Sequence, residues 1–356
     1  MSINHMNRGL KGLEERVLSQ GLCTACGACL SLCPYLRSWQ GRVVKLHDCG
    51  LEEGRCFVYC PRTEVDLDGI CQKEFGQKYE KVEMGPVKNI LMARARDPIW
   101  RKKAQSGGVV SALIDFALRK KALDAAILTP READFLPEGR IVRDREDILT
   151  CAGSSYVSGP TLEALHKGPW QGEEKIGVVG LPCQAQALTR MRASSLERKT
   201  PVDRVGLVIG LFCTWALEYE QFHAFLNKRL GQSHMIKLEI TPPPERLLKI
   251  HTNGSLHMIP IDEIRPFIRK GCQVCPDMTA ELSDISAGTV EGIEGWNTMI
   301  IRSDRGEMLF KKAEAEGIVE SKPMPEDHLG HLGEASLLKK RKAIEAIQKR
   351  GELLQK

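Results

Sequence analysis

Thirteen cysteines carry most of the chemistry legible in this 356-residue chain. The densest run is Cys23-Thr-Ala-Cys26-Gly-Ala-Cys29-Leu-Ser-Leu-Cys33-Pro34, a C-x2-C-x2-C-x3-C-P spacing that suits an iron–sulfur cluster. Two-residue gaps wind the loop tightly enough for three thiolates to converge on one cubane. Gly27 and Ala28 keep the backbone near the sulfides, and the fourth thiol faces a different ligand position. Pro34 ends the turn by fixing φ and withholding an N–H. A zinc site or a disulfide framework would use the same residue type, but four cysteines at this spacing before a proline argue against both.

A second group follows: Cys49, Cys56, Cys60-Pro61 and, further on, Cys71. Cys56-x3-Cys60-Pro61 repeats the end of the first run, yet Gly50 and Glu53 stand where a regular repeat would place two more cysteines. Two arrangements are open. In one, Cys23, Cys26, Cys29 and a distal thiol, most simply Cys60, hold a single cluster. In the other, Cys33, Cys49 and Cys56 hold a second cluster with Cys71 or a non-cysteine ligand, which gives those three thiols a purpose. A third set is dispersed: Cys183 and Cys213 follow two apolar strands, and Cys272-Gln-Val-Cys275-Pro276 adds a C-x2-C pair. Four thiols suit a 4Fe-4S cluster or a structural zinc, and the neighbouring redox run favours iron–sulfur. The expected inventory is two or three 4Fe-4S clusters.

The elements that position these residues read as α/β. Asn89 to Ala95 predicts a strand, and Val109, Val110, Leu113, Phe116 and Ala117 recur at helical spacing after Gln105-Ser106-Gly107-Gly108. A Ser-Gly-Gly turn opening a helix is a seat for a pyrophosphate, although glycines before helices are also ordinary turns. Asp124–Thr129, Lys175–Gly180 and Val205–Phe212 predict further strands, with helices over 185–192 and 218–230. Strand ends are where open α/β sheets place ligands, which is where Cys183 and Cys213 fall. Three strands between Ile236 and Ile259, with an Asn253-Gly254 hairpin turn, predict a β-rich insertion outside the parallel sheet. Residues 11–19 read as a helix, residues 62–88 as an irregular connection, and residues 287–297 as a glycine-rich stretch before a strand at 298–302. A last domain helix starts at Asp304.

Bulk properties bound the class. Hydrophobic residues make up 42% and charged residues 27%, as in globular proteins. No apolar run approaches 18 residues, and no export signal is visible, so a cytoplasmic location is expected and thirteen thiols imply metal ligation rather than bridges. The net charge of +5 is concentrated in part between Lys339 and Arg350, a basic helical face expected to be solvated or to meet an acidic partner. Nothing else points to nucleic acid. His223, His251 and His257 are scattered, and no general acid–base pair is required.

The chain resembles the β subunit family of coenzyme F420-dependent hydrogenases and dehydrogenases. The resemblance lies in Gln105-Ser106-Gly107-Gly108, Gly180-Leu181-Pro182-Cys183-Gln184, Leu211-Phe212-Cys213, Cys272-Gln-Val-Cys275-Pro-Asp277, and Ser283-Asp284-Ile285 through Gly295-Trp296. It implies a ferredoxin-like 4Fe-4S domain over 1–75, an α/β core over 88–320 binding FAD and one 4Fe-4S cluster, and a basic helical tail over 321–356. Carried over by position, Ser106, Gly107 and Gly108 would meet the FAD phosphates and Ser154 and Ser155 would line the flavin pocket. Cys183, Cys213, Cys272 and Cys275 would hold the core cluster. Flavin is the natural converter between one-electron clusters and two-electron hydride carriers. The expected partners are a catalytic hydrogenase or dehydrogenase subunit, such as a formate dehydrogenase, and a redox carrier: the deazaflavin coenzyme, NAD(P) or ferredoxin. The competing expectation is a non-enzymatic electron-transfer adaptor without a hydride site.

Overall fold

A computed structural model describes residues 7–79, 83–130, 136–170, 174–196, 200–231, 235–241 and 244–351. A small hairpin, β1 (Leu36–Trp39) and β2 (Arg42–Lys45), lies in the cysteine-rich N-terminal segment. The main sheet takes β3 (Asn89–Ala95), β4 (Ala125–Leu128), β5 (Arg140–Val142), β6 (Ile176–Gly180) and β7 (Val205–Leu211). The chain then forms β8 (Met235–Ile240), β9 (Leu247–Thr252) and β10 (Ser255–Pro260). It returns to the main sheet with β11 (Ile285–Thr289), β12 (Asn297–Ile301) and β13 (Val319–Pro323). The eight-stranded order is β13-β3-β12-β11-β7-β6-β4-β5, while β8, β9 and β10 form a separate antiparallel sheet, as the Asn253-Gly254 hairpin predicts.

Strands β11, β7, β6 and β4 are mutually parallel and buried, which is why they read as near-continuous apolar runs. Their residues alternate between two faces. Val179, Leu207 and Ile209 join Phe116, Phe310 and Met299 on one side, and Ile176, Val178 and Val208 join Leu188 and Met191 on the other. Helices Val109–Arg119 and Asp304–Ala315 cover the first face and helix Pro182–Ala193 the second, giving a helix–sheet–helix sandwich.

Several expectations are corrected. The stretch 62–88 contains a helix, Leu67–Phe75, started by the Asp66 side chain accepting from the Gly69 N–H; short polar helices carry little periodicity to detect. Residues 285–289 form a central strand, because β12 and β7 saturate its backbone on both sides. Residues 11–19 split into a short α-turn, Leu10–Leu13, and a π-turn, Glu14–Leu18. The division expected at residue 320 falls inside β13, the edge strand paired with β3. The basic C-terminal helix, Glu326–Arg350, is not merely solvated: Lys340 and Ile347 are buried and the ammonium of Lys339 reaches inward.

Candidate redox centre

The N-terminal segment is bolted onto the sheet. The Cys26 carbonyl accepts from the Leu162 N–H at 3.0 Å and the Thr24 carbonyl from the Ser158 hydroxyl at 2.5 Å. Gly27, at φ +89°, sits so near Pro160 and Glu163 that a Cβ would lie 2.7 Å from their backbone. Arg190 donates from Nε to the Val58 carbonyl and from its two terminal nitrogens to Thr63. The Arg269 guanidinium reaches the Cys23 carbonyl.

This docking gathers eleven thiols into three adjoining groups. In the first, Cys23, Cys26, Cys29 and Cys60 line one mostly apolar cavity with Val17, Val43 and Pro61. Burial, and then Cys60 and Cys23, push the Cys26 thiol up to about 12; burial and Cys23 hold Cys60 at about 11. Cys29 is pushed well up by burial, then by Cys23, Cys26, Cys60 and Cys56. The second group is Cys33, Cys49 and Cys56. Burial, followed by Cys33 and then Cys49, raises Cys56 to about 12. The third is Cys183, on the first turn of helix Pro182–Ala193, with Cys213 beyond β7 and Cys272 and Cys275 at the short helix Lys270–Gln273. Burial raises Cys183 and Cys213, whose neighbours include Cys272 and Cys275.

The groups stand in series. Cys56 of the second neighbours Cys29 of the first, and Cys26 of the first neighbours Cys183 of the third. Of the two arrangements left open by the sequence, the structure brings Cys60 to the first group and leaves Cys33, Cys49 and Cys56 together. Cys71 packs in a separate apolar cluster with Val65, Ile70 and Leu282. Backbone N–H groups already point at sulfur: Ala25 at Cys23 and Ala216 at Cys272, both at 3.4 Å. Among the described residues, no three His, Cys, Asp or Glu side chains stand close enough to share a single metal ion.

A buried cation and a half-buried one attend these thiols. Arg62, 2% exposed, neighbours Cys275, Cys183, Cys272 and Cys60. Lys339 donates to the carbonyls of Cys213 (2.5 Å) and Asp277 (2.7 Å). Burial alone would raise Cys275, but Lys339 and Arg62 outweigh it, so its thiol lies below the ordinary value. Neither role shows in the sequence. Arg62 directly follows Cys60-Pro61, which is the only hint, and Lys339 lies in a basic run that resembles any solvated face.

The glycine turn lies at the same sheet edge as Cys183 and Cys213. Strand β3 runs parallel to β7 through the antiparallel β12, so the segment after Ala95 leaves at the edge where β6 and β7 end. Three strand spacings, about 14 Å, separate β3 from β7. Gly108 is the left-handed residue (φ +73°) before helix Val109–Arg119, and a Cβ there would meet the Trp100 backbone at 2.7 Å. At Gly107 a Cβ would meet Asn297 Oδ1 and the Ala93 carbonyl. Both glycines are thus required by packing; Gly108 brings no side-chain cap of its own, and Asn297 Oδ1 accepts from the Val109 N–H at 3.4 Å. Ser106 donates to the Trp296 carbonyl at 2.6 Å, and Arg94 lies over the Trp296 ring at 4.6 Å. Ser154 and Ser155 lie on the loop after helix Arg145–Cys151, where Ser155 bonds locally to Val157.

Comparison with known proteins gives two matching halves of one family description. Coenzyme F420 hydrogenase/dehydrogenase, beta subunit N-term, matches residues 90–166, and its C-terminal counterpart matches residues 173–327. Coenzyme F420 hydrogenase subunit beta of Methanothermobacter thermautotrophicus is 31% identical over 274 residues, covering 76% of this chain and 97% of that protein. Coenzyme F420-dependent sulfite reductase of Methanocaldococcus jannaschii is 29% identical over 319 residues, covering 85% of this chain and 48% of that protein. A chain of the F420-reducing [NiFe] hydrogenase complex from Methanosarcina barkeri superposes with a TM-score of 0.69 at 29% identity, over 76% of this chain and 94% of that one.

Proposed function

The chain belongs to the coenzyme F420 hydrogenase/dehydrogenase beta subunit family and is a redox subunit of an oxidoreductase complex, and on that basis we propose that it passes electrons between 4Fe-4S clusters and a hydride carrier through FAD. The observation that carries this reading is the series of three thiol groups running from Cys33, Cys49 and Cys56, through Cys23, Cys26, Cys29 and Cys60, to Cys183, Cys213, Cys272 and Cys275. A relay of one-electron centres is useful only if each centre adjoins the next. Zinc, with Zn–S bonds of about 2.3 Å, would draw its thiolates closer than a cubane does, because a cubane interposes iron and sulfide.

The residues fit the cofactors by chemistry. Thiols pushed up by burial stay protonated at neutral pH until a metal displaces the proton, so cluster assembly releases protons and supplies folding energy. FAD, when bound, supplies the conversion between single electrons and hydride. For it, Ser106, Gly107 and Gly108 offer the start of helix Val109–Arg119, where Asn297 Oδ1 meets only the Val109 N–H, to the pyrophosphate. Arg94, stacked on Trp296 and ion-paired with Glu320, borders that turn. Ser154 and Ser155 are the further flavin-side residues. The division of labour is an N-terminal cluster segment (1–75), a flavin and cluster core running from residue 88 through the edge strand Val319–Pro323, and a C-terminal helix that closes over the core thiols. The partner is a catalytic hydrogenase or dehydrogenase subunit, and the carrier is the deazaflavin coenzyme, with NAD(P) or ferredoxin as alternatives.

Anaerobic purification with iron and flavin analysis, followed by reduction with the deazaflavin coenzyme, NADH and NADPH, tests this. Iron and a flavin spectrum bleached by one carrier are expected. Cys183→Ser should remove one cluster's iron and leave the other groups loaded. A colourless preparation containing zinc, or clusters without a reducible flavin, would overturn the reading.

A further inference from the structure

Arg62 is a buried cation without an ordinary partner. It is 2% exposed, its Nη1 donates only to the adjacent Pro61 carbonyl (2.7 Å), and its Nε has no hydrogen-bond acceptor. Among the described residues no carboxylate pairs with it, although Arg190, Arg192, Arg269 and Arg305 all find acceptors or carboxylates. Burying an unpaired guanidinium is strongly unfavourable. The groups that favour its charge most are sulfurs of two sets: Cys275, Cys183 and Cys272 of the third, and Cys60 of the first. Thiols that carry protons cannot neutralise it. Clusters ligated by four thiolates can, because they are net anions.

We propose that Arg62 is a positioning cation wedged between the first and third thiol groups that raises the reduction potential of the core cluster and so biases electrons toward the flavin end of the relay. This rests on the reading that both groups hold 4Fe-4S clusters. The reason is electrostatic: reduction adds one negative charge to a cluster, and a fixed positive charge in a desolvated site stabilises the reduced form. Cys275, Cys183 and Cys272 of the core group act on it more strongly than Cys60, so the effect falls mainly there. Arg62 lies outside the stretches 90–166 and 173–327 that match the family, so the device belongs to the N-terminal segment rather than to the shared core.

The test is an anaerobic redox titration of the full chain followed by electron paramagnetic resonance, with Cys183→Ser identifying the core signal. Arg62→Gln is expected to lower the core midpoint by at least about 59 mV, tenfold in a one-electron equilibrium, with a smaller shift in the first group. Arg62→Lys should restore most of the shift, since it keeps the charge. A second measurement covers a variant that loads poorly. In iron-depleted protein Arg62→Met should raise the melting temperature, because it removes an uncompensated charge, while in loaded protein it should lower it. An unchanged core midpoint at wild-type iron content, or Arg62→Met lowering both melting temperatures alike, overturns the proposal. Wild-type protein with no core signal and no iron lost on Cys183→Ser overturns the underlying reading and the proposal with it.

Discussion

At the scale of the residue, burial decides which groups keep a proton. Glu281 illustrates this. Its carboxyl is buried among Tyr79, Lys340, Asp277, Cys71 and Arg302; burial first, then Asp277, raises it to about 7, with Lys340 opposing. The folded-state value lies above the ordinary 4.5, so the fold prefers the protonated form. The stabilising contribution is complete below pH 4.5 and is lost as pH rises through about 7. Glu281→Gln should therefore flatten the decline in stability across that window, by roughly 3 kcal/mol. Denaturant unfolding at several pH values between about 4.5 and 8 measures it, and an unchanged slope would show that the Lys340 pair keeps the carboxylate charged throughout.

At the scale of the element, the C-terminal helix Glu326–Arg350 acts as a strap. Its Ser336 hydroxyl donates to the Glu83 carbonyl, Lys339 spans the carbonyls of Cys213 and Asp277, Lys340 pairs with Glu281, and Ile347 packs among Leu10, Leu13 and Phe57. One helix thus touches the N-terminal segment, the connection after it and the core thiols. Lys339→Met leaves the half-buried Cys213 carbonyl without its lysine donor and the Asp277 carbonyl with only the Cys275 thiol, at a cost of about 1–3 kcal/mol. It should speed iron release from the core group, followed with a coloured iron chelator. Leu338→Ala, on the exposed side of the same helix, should change stability by less than about 0.5 kcal/mol. Equal effects of the two substitutions would mean that the strap does not act through Lys339.

At the scale of the whole molecule, the N-terminal cysteine-rich segment and the sheet share hydrogen bonds and apolar cores. Cys26, Ala28 and Tyr59 pack with Ile127, Val178 and Leu188, so the two parts are expected to unfold together. Arg190 is the strongest single link: a buried guanidinium, lowered to about 10 by burial, that bonds the backbone at Val58 and Thr63. Arg190→Met should destabilise the chain by about 3 kcal/mol. It should also release iron from the first thiol group without altering a ligand. Calorimetry checks this: one shifted transition is expected, and a split into an early iron-loss step and an unmoved core transition would show that the parts are independent.

The local chemistry was legible in the chain itself. Cys23, Cys26 and Cys29 lie within seven residues, so their spacing alone fixes how a loop can wrap a cluster, and the apolar runs of β6 and β7 announce buried parallel strands for the same short-range reason. The hairpin at Asn253-Gly254 and the helix after Gly108 are likewise local. What tertiary structure decided is everything that joins distant segments: that Cys60 joins the first group, that Cys71 stands apart, that the first group adjoins both others, and that Arg62 and Lys339 turn inward. Arg62 meets Cys183 across 121 positions of sequence. No periodicity encodes such a meeting, because it depends on the order in which strands join the sheet and on the docking of one segment against another. A lysine in a basic run is the same residue whether it faces water or a buried ring of sulfur; only the packing of its helix makes the difference.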